Sequence, residues 1–176
     1  YTEQMVVDYV MRRLEAEPIR AMILLCQREH ERRSFLSSIH DKQLEDTSRA
    51  YPLLVNIAHI EKVLSARDLI LNILQRTGLT RISTSALDFY LQKNRFTVLI
   101  DGLDELASQS TQEIALSQLD SLLQATHGQL RTIVVSGIAA LHSKSTPTSN
   151  SDIVAPCSSL TEVLIVENAT NRAPRD

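Results

Sequence analysis

Glycine is scarce in this sequence. There are four, Gly78, Gly102, Gly128 and Gly137, and none precedes a lysine. A phosphate-cradling loop of the form G-x-x-x-x-G-K-[ST] is therefore not written in the chain. Tryptophan is absent and aromatics make up 4%, so the core is expected to be aliphatic. The two cysteines, Cys26 and Cys157, lie far apart without metal spacing, and read as reduced, buried or incidental thiols of a cytoplasmic protein. His40 and His59 stand alone, with no partner at ligand spacing. No apolar run approaches the ~20 residues of a membrane span, and no signal peptide is read at the start. A net charge of −3 gives no electrostatic reason to bind nucleic acid or an anionic membrane. The first residue, Tyr1 rather than Met, suggests a cut from a longer polypeptide.

What is present suits one domain with a real core: 176 residues, 43% hydrophobic and 22% charged. No internal repeats are found. The most informative stretch is Phe96-Thr97-Val98-Leu99-Ile100-Asp101-Gly102-Leu103-Asp104-Glu105-Leu106. Its first part reads as a strand buried on both faces, as in the middle of a parallel sheet. Asp101 closes that strand, Gly102 lets the chain turn, and Asp104 and Glu105 follow over the same edge. Open α/β sheets bind ligands at the C-terminal ends of their strands. Clustered carboxylates there suit Mg²⁺ together with substrate phosphates. The plainer alternative is an acidic helix N-terminus favoured by the macrodipole.

Around this stretch, residues 2–16 carry a helical face of Met5, Val6, Tyr9, Val10 and Leu14. The apolar segment 19–26 fits either a short buried strand over 21–26 or the start of a long amphipathic helix. Its helix-favouring residues and the lack of a bounding turn residue select the helix. Arg28, Glu29, Glu31, Arg32 and Arg33 read as a solvated helical face, with a phosphate-binding cluster as the lesser alternative. Residues 35–50 are polar and expected to form a loop with a helical turn. Pro52 opens a strand over 53–58. Ser65 caps a helix through Arg76 with Leu69, Ile70, Ile73 and Leu74 on its core face, closed by Thr77-Gly78. Ser85 is expected to cap a helix over 86–93. Thr111 caps another over 112–125, where Ile114, Leu116, Leu119, Leu122 and Leu123 form the buried stripe, and Gly128 stops it. A third strand over 130–136 ends in Ser136. Residues 142–151 form a loop, 160–166 a last strand, and 168–176 a frayed tail. Apolar strands alternating with helices indicate parallel βαβ units in an α/β three-layer sandwich.

Leu-Ile-Asp-Gly-Leu-Asp-Glu-Leu resembles the extended Walker B motif of the NACHT family, a branch of the STAND P-loop NTPases. The order of elements over 51–166 is similar too, which makes residues 1–170 a partial domain of that type and 171–176 a tail. The resemblance implies a P-loop NTPase-like sheet, Mg²⁺ held by Asp101, and a hydrolytic water positioned or activated by Asp104 and Glu105. It implies nucleotide sensing by Ser136 on the strand beside Walker B. ATP/ADP and Mg²⁺ would be the ligands of the complete protein, which would self-associate under nucleotide control, often in defence signalling. The fragment itself would bind ATP weakly or not at all. The helix 2–16 resembles the one that follows the P-loop, so the Walker A strand and loop are expected to be missing upstream. Without that strand, 132–136 would expose an apolar edge, beside which 160–166 could insert, and the protein would be aggregation-prone. Gly137 stands where the family usually places Arg after the sensor residue. The other function class is a non-catalytic scaffold or interaction module that keeps the fold.

Overall fold

The structure is a computed structural model and describes residues 2–16, 21–45, 50–60, 64–79, 81–126, 129–137 and 162–166. Its elements in chain order are α1 (Glu3–Ala16), β1 (Ala21–Cys26), α2 (Glu29–Glu45), β2 (Tyr51–Asn56), a 3₁₀ turn (Ile57–His59), α3 (Ala66–Arg76), α4 (Thr84–Gln92), β3 (Phe96–Asp101), α5 (Leu103–Gln109), α6 (Gln112–Thr126), β4 (Arg131–Gly137) and β5 (Glu162–Val166). The five strands form one sheet in the order β2-β3-β4-β1-β5, and every described pair is parallel.

The sheet is buried on both sides, and each inner strand divides its side chains between two cores. In β1, Ile23 and Leu25 join a core with Leu69, Ile70 and Leu119 of α3 and α6. Met22, Leu24 and Cys26 join another with Val7, Val10, Phe35 and Ile39 of α1 and α2. Strand β3 alternates likewise, with Val98 and Ile100 on one side and Leu99 on the other. Two helical layers thus sandwich a parallel sheet, as the apolar strands require.

Several elements lie where the sequence places them. β2, β3 and β4 are contiguous and parallel, with β3 inside the sheet. Ser65 caps α3 by accepting from the Asp68 N–H at 3.2 Å, and Gly78 takes φ +90° beyond its C-terminus. Ser83, rather than Ser85, caps α4.

Met5 of α1 and Ile114 of α6, expected on buried faces, are exposed. Three larger expectations are also corrected. Residues 21–26 form strand β1, not a helix; a short apolar run buried on both faces carries no periodicity to tell the two apart. Residues 35–45 continue α2 rather than forming a loop, because Phe35, Leu36, Ile39 and Gln43 supply a buried stripe. Most consequentially, the slot between β4 and β5 that was expected to be empty is filled by β1. It pairs Met22 with Ile133 and with Glu162, and Leu25 with Ser136 and with Ile165. β4 therefore has a partner on each side, β5 pairs with β1, and the helix after the first strand is α2 rather than α1. The loop over 142–151, Gly128, Cys157 and the tail lie outside the described residues.

A candidate acidic site clamped by one arginine at the C-terminal sheet edge

Parallel strands deliver their C-terminal residues to one edge. Cys26, Asn56, Asp101 and Ser136-Gly137 end β1 to β4 there, with Asn56 in register with Asp101 and Cys26 with Gly137. Beyond β3 the chain turns at Gly102, at φ +85°, with its N–H donating to Asp101 Oδ1 at 2.8 Å. A Cβ at this position would lie 2.5 Å from Asn56 Nδ2, so glycine is needed for both the turn and the close approach. Helix α5 then starts at once, and Asp104 and Glu105 fall in its first turn, where carboxylates suit the dipole.

The three acids come together around a cation that the sequence reading left in solvent. Arg32 of α2 is 2% exposed. Its Nε lies 3.2 Å from Asp101 Oδ1 as an ion pair, without hydrogen-bond geometry. Nη1 donates to Asp104 Oδ1, and Nη2 reaches Glu105 Oε1 at 3.5 Å. One guanidinium thus holds carboxylates from a strand end and a helix start. Asn56 adds a second clamp, its Nδ2 donating to Glu105 Oε2 at 3.0 Å and its Oδ1 accepting from the Ala58 N–H at 2.8 Å. Ser136 is buried and its hydroxyl donates to the Gly137 carbonyl at 3.3 Å. A Cβ on Gly137 would lie 3.7 Å from Asp104, which places the β4 end beside the acids. All four residues expected to carry the site thus lie at one sheet edge.

The charges explain the pKa shifts. Burial first, then the neighbouring Asp104 and Glu105 carboxylates, raise the Asp101 pKa above its usual 3.8, against Arg32 and the Gly102 N–H. Burial disfavours the Arg32 cation, but Asp101, Asp104 and Glu105 outweigh it and leave the guanidinium more basic than usual. Burial, with Glu31 adding to it, pushes the Cys26 thiol up to about 12, which leaves it inert at neutral pH.

The entrance to α2 is also occupied from within. Residues 27–34 follow β1 at the length of a G-x-x-x-x-G-K-[ST] loop, but read Gln-Arg-Glu-His-Glu-Arg-Arg-Ser. Helix α2 begins at Glu29, so most of this stretch is helix rather than an open loop. The Arg28 N–H donates to Glu31 Oε2 at 3.3 Å, which puts a carboxylate where a helix N-terminus could receive a phosphate. Arg33 is exposed and pairs with Glu29 at 2.6 Å. The Ser34 hydroxyl donates to Glu3 of α1 at 2.8 Å. These residues do not fit Mg·ATP: the anion position holds Glu31 and the acids hold Arg32. Among the described residues no group of His, Cys, Asp and Glu has a metal-binding arrangement.

Sequence reasoning missed Arg32, Glu31 and Asn56. A signal for Arg32 was present. Arg32, Phe35, Leu36, Ile39 and Gln43 follow helical spacing, so Arg32 continues the buried stripe of α2. Asn56 carried no such mark.

Neither a protein-family model nor a curated protein matches the sequence. Solved structures do. The structure of Drosophila ORC bound to AT-rich DNA and Cdc6 is similar over 94% of this chain, with TM-score 0.53 and 15% identity. The structure of the Aeropyrum pernix ORC2 protein in ADPNP-ADP complexes matches over 93% of it, with TM-score 0.46 and 11% identity. The chain spans 28% and 46% of those chains, respectively. Its class is thereby defined: an α/β fold with a parallel sheet, P-loop NTPase-like. Among the described residues no helix is long and apolar enough to cross a membrane.

Proposed function

We propose that this chain is a non-hydrolysing module of P-loop NTPase fold, related to the NACHT and STAND proteins through its Walker B-like stretch, that serves as a scaffold for protein interaction. The observation that carries the reading is Arg32, whose buried guanidinium binds Asp101, Asp104 and Glu105 together. A cation fixed by folding competes with any Mg²⁺ for the same oxygens, and it cannot leave without exposing a buried charge. Glu31 at the start of α2 supports the same conclusion from the anion side. The module would keep the fold and the acids as structural cement, and would hold its shape without ATP or ADP.

The reading is tested by calorimetric titration with Mg·ATP and Mg·ADP, on this chain and on the longest natural polypeptide containing it. No heat and no turnover are expected in either. Micromolar binding to both would overturn it.

One observation favours a second reading, a nucleotide-controlled oligomerisation switch: Asp101, Asp104, Glu105 and Ser136 all remain at the sheet edge that such proteins use. Asp101 would then hold Mg²⁺, Asp104 and Glu105 would serve hydrolysis, Ser136 would contact nucleotide, and Arg32 would have to swing away. Glu105→Gln separates the two. It should abolish turnover while sparing ATP binding if the switch reading holds, and leave a non-binding protein unchanged if the scaffold reading holds.

A further inference from the structure

The protein has three Phe and four Tyr, and four of these gather in one place. Tyr90 of α4 meets Tyr51 at the start of β2, its neighbour Phe89, and Phe96 at the start of β3, all edge to face, with ring centroids 6.4, 5.7 and 6.1 Å apart. Beside them lies a groove of about 380 Å³, walled by Tyr51, Leu79, Ile82, Tyr90 and Phe96. Its walls are accessible: Leu79 is 53% exposed, Tyr51 46% and Tyr90 41%. Exposed aromatic side chains gathered on one surface are the usual anchors of protein contacts. Arg81 is the one charged group among the groove's described lining residues. It is exposed and makes no hydrogen bond or ion pair with the described residues.

Tyr51 also opens the outermost strand of the sheet. No described strand pairs with the far side of β2. The Tyr51 N–H donates to the Arg95 carbonyl at 2.7 Å. Tyr51, Leu53 and Val55 therefore turn their backbone groups toward β3, while Pro52, Leu54 and Asn56 turn theirs outward. Pro52 sits where a missing N–H costs no ladder bond. Leu54, 52% exposed, offers both its N–H and its C=O on that side. β2 carries no charged side chain, a usual guard against the addition of a further strand. Val55 belongs to the core on the α3 side, so by alternation Tyr51 faces that side too. A residue added opposite Tyr51 or Leu53 would turn its side chain to the face that holds the groove.

We propose that this flank binds an extended segment of another protein, added to β2 as a further strand, with a large apolar side chain in the groove and an acidic side chain at Arg81. Main-chain bonds to the Pro52 carbonyl and to Leu54 supply affinity, and the groove with its single cation supplies choice. A helix or a small amphipathic carboxylate would use the groove but leave the backbone groups of Leu54 unmet. The inference rests on the scaffold reading in taking the partner to be a protein, and none of its residues belongs to the acidic cluster.

The test uses a displayed library of random nonapeptides, selected on the whole chain. The enriched peptides should share a large apolar residue and an Asp or Glu at fixed spacing. Selection on Arg81→Glu should replace that acid by Lys or Arg. The consensus peptide, made synthetically, should slow hydrogen exchange at the Leu54 amide and leave the Tyr51 amide, already bonded to β3, unchanged. Leu79→Glu, on an exposed side chain that the core does not need, should weaken the peptide at least tenfold, and Arg81→Gln about threefold. Binding without protection of the Leu54 amide would overturn strand addition, and an acid preference that survives Arg81→Glu would overturn the role of Arg81. Sedimentation that shows two copies of the chain pairing through β2 would make the occupant a second copy and overturn the proposal. A selection without consensus, from a chain that also binds no Mg·ATP, would overturn this site and leave the scaffold reading standing.

Discussion

The two edges of the sheet treat polar groups in opposite ways. At the C-terminal edge, where α/β proteins take their ligands, one cation gathers the charged groups: Arg32 binds three acids, Asn56 holds Glu105, and Glu31 sits at the start of α2. At the N-terminal edge, Gln43 Oε1 and Arg131 Nε lie buried without hydrogen-bond partners. The first edge is a charge cluster closed by one buried guanidinium, and the second is polar burial that hydrogen bonds do not complete.

The comparison is broken most directly at Arg32. Arg32→Ala leaves three carboxylates facing one another around a cavity. It should destabilise the fold by about 2–4 kcal/mol, the lower part of the range applying because Asp104 and Glu105 are partly solvated. Denaturant unfolding measures this. Arg32→Met, which fills the volume but restores no charge, should recover less than half of the loss; full recovery would show that packing rather than charge matters.

Gly102→Ala should come next. It forces a side chain into positive φ and against Asn56, for a cost of about 1–3 kcal/mol. A neutral result would mean that the turn into α5 does not fix the positions of the acids.

The titration of Asp101 gives a smaller effect with a definite sign. Its folded pKa is raised, so the folded state binds a proton more readily than the unfolded one. Its contribution to stability is therefore largest below about pH 3.8 and declines as pH rises through the folded pKa. The ¹³C carboxyl signal of Asp101 should titrate with a midpoint above 3.8, and higher still in Arg32→Met. A midpoint below 3.8 would mean that Arg32 outweighs burial and the neighbouring acids.

Gln43→Met should change stability least, by less than about 1 kcal/mol, because it removes an acceptor that has no partner while giving up one hydrogen bond to Thr97. A loss comparable to that of Arg32→Ala would erase the contrast between the two edges.

Much of this architecture was written locally. The apolar run of β3 and the acids after it, the cap at Ser65, the C-terminal Gly78 and the α6 stripe from Leu116 to Leu123, though not Ile114, each depend on neighbours a few residues away. Such features can be read from order and spacing alone, and with them the α/β class and the gathering of Asp101, Asp104, Glu105 and Ser136 at one edge. The tertiary structure decided the rest. Whether 21–26 is strand or helix depended on a vacant place between β4 and β5, a contact with residues more than a hundred positions away. Whether Arg32 is a surface charge or the centre of a site depended on acids lying 72 and 73 residues further along. Charge pairing acts through space and leaves no period in the sequence, so the chain could state which groups it carries but not which of them had already found each other.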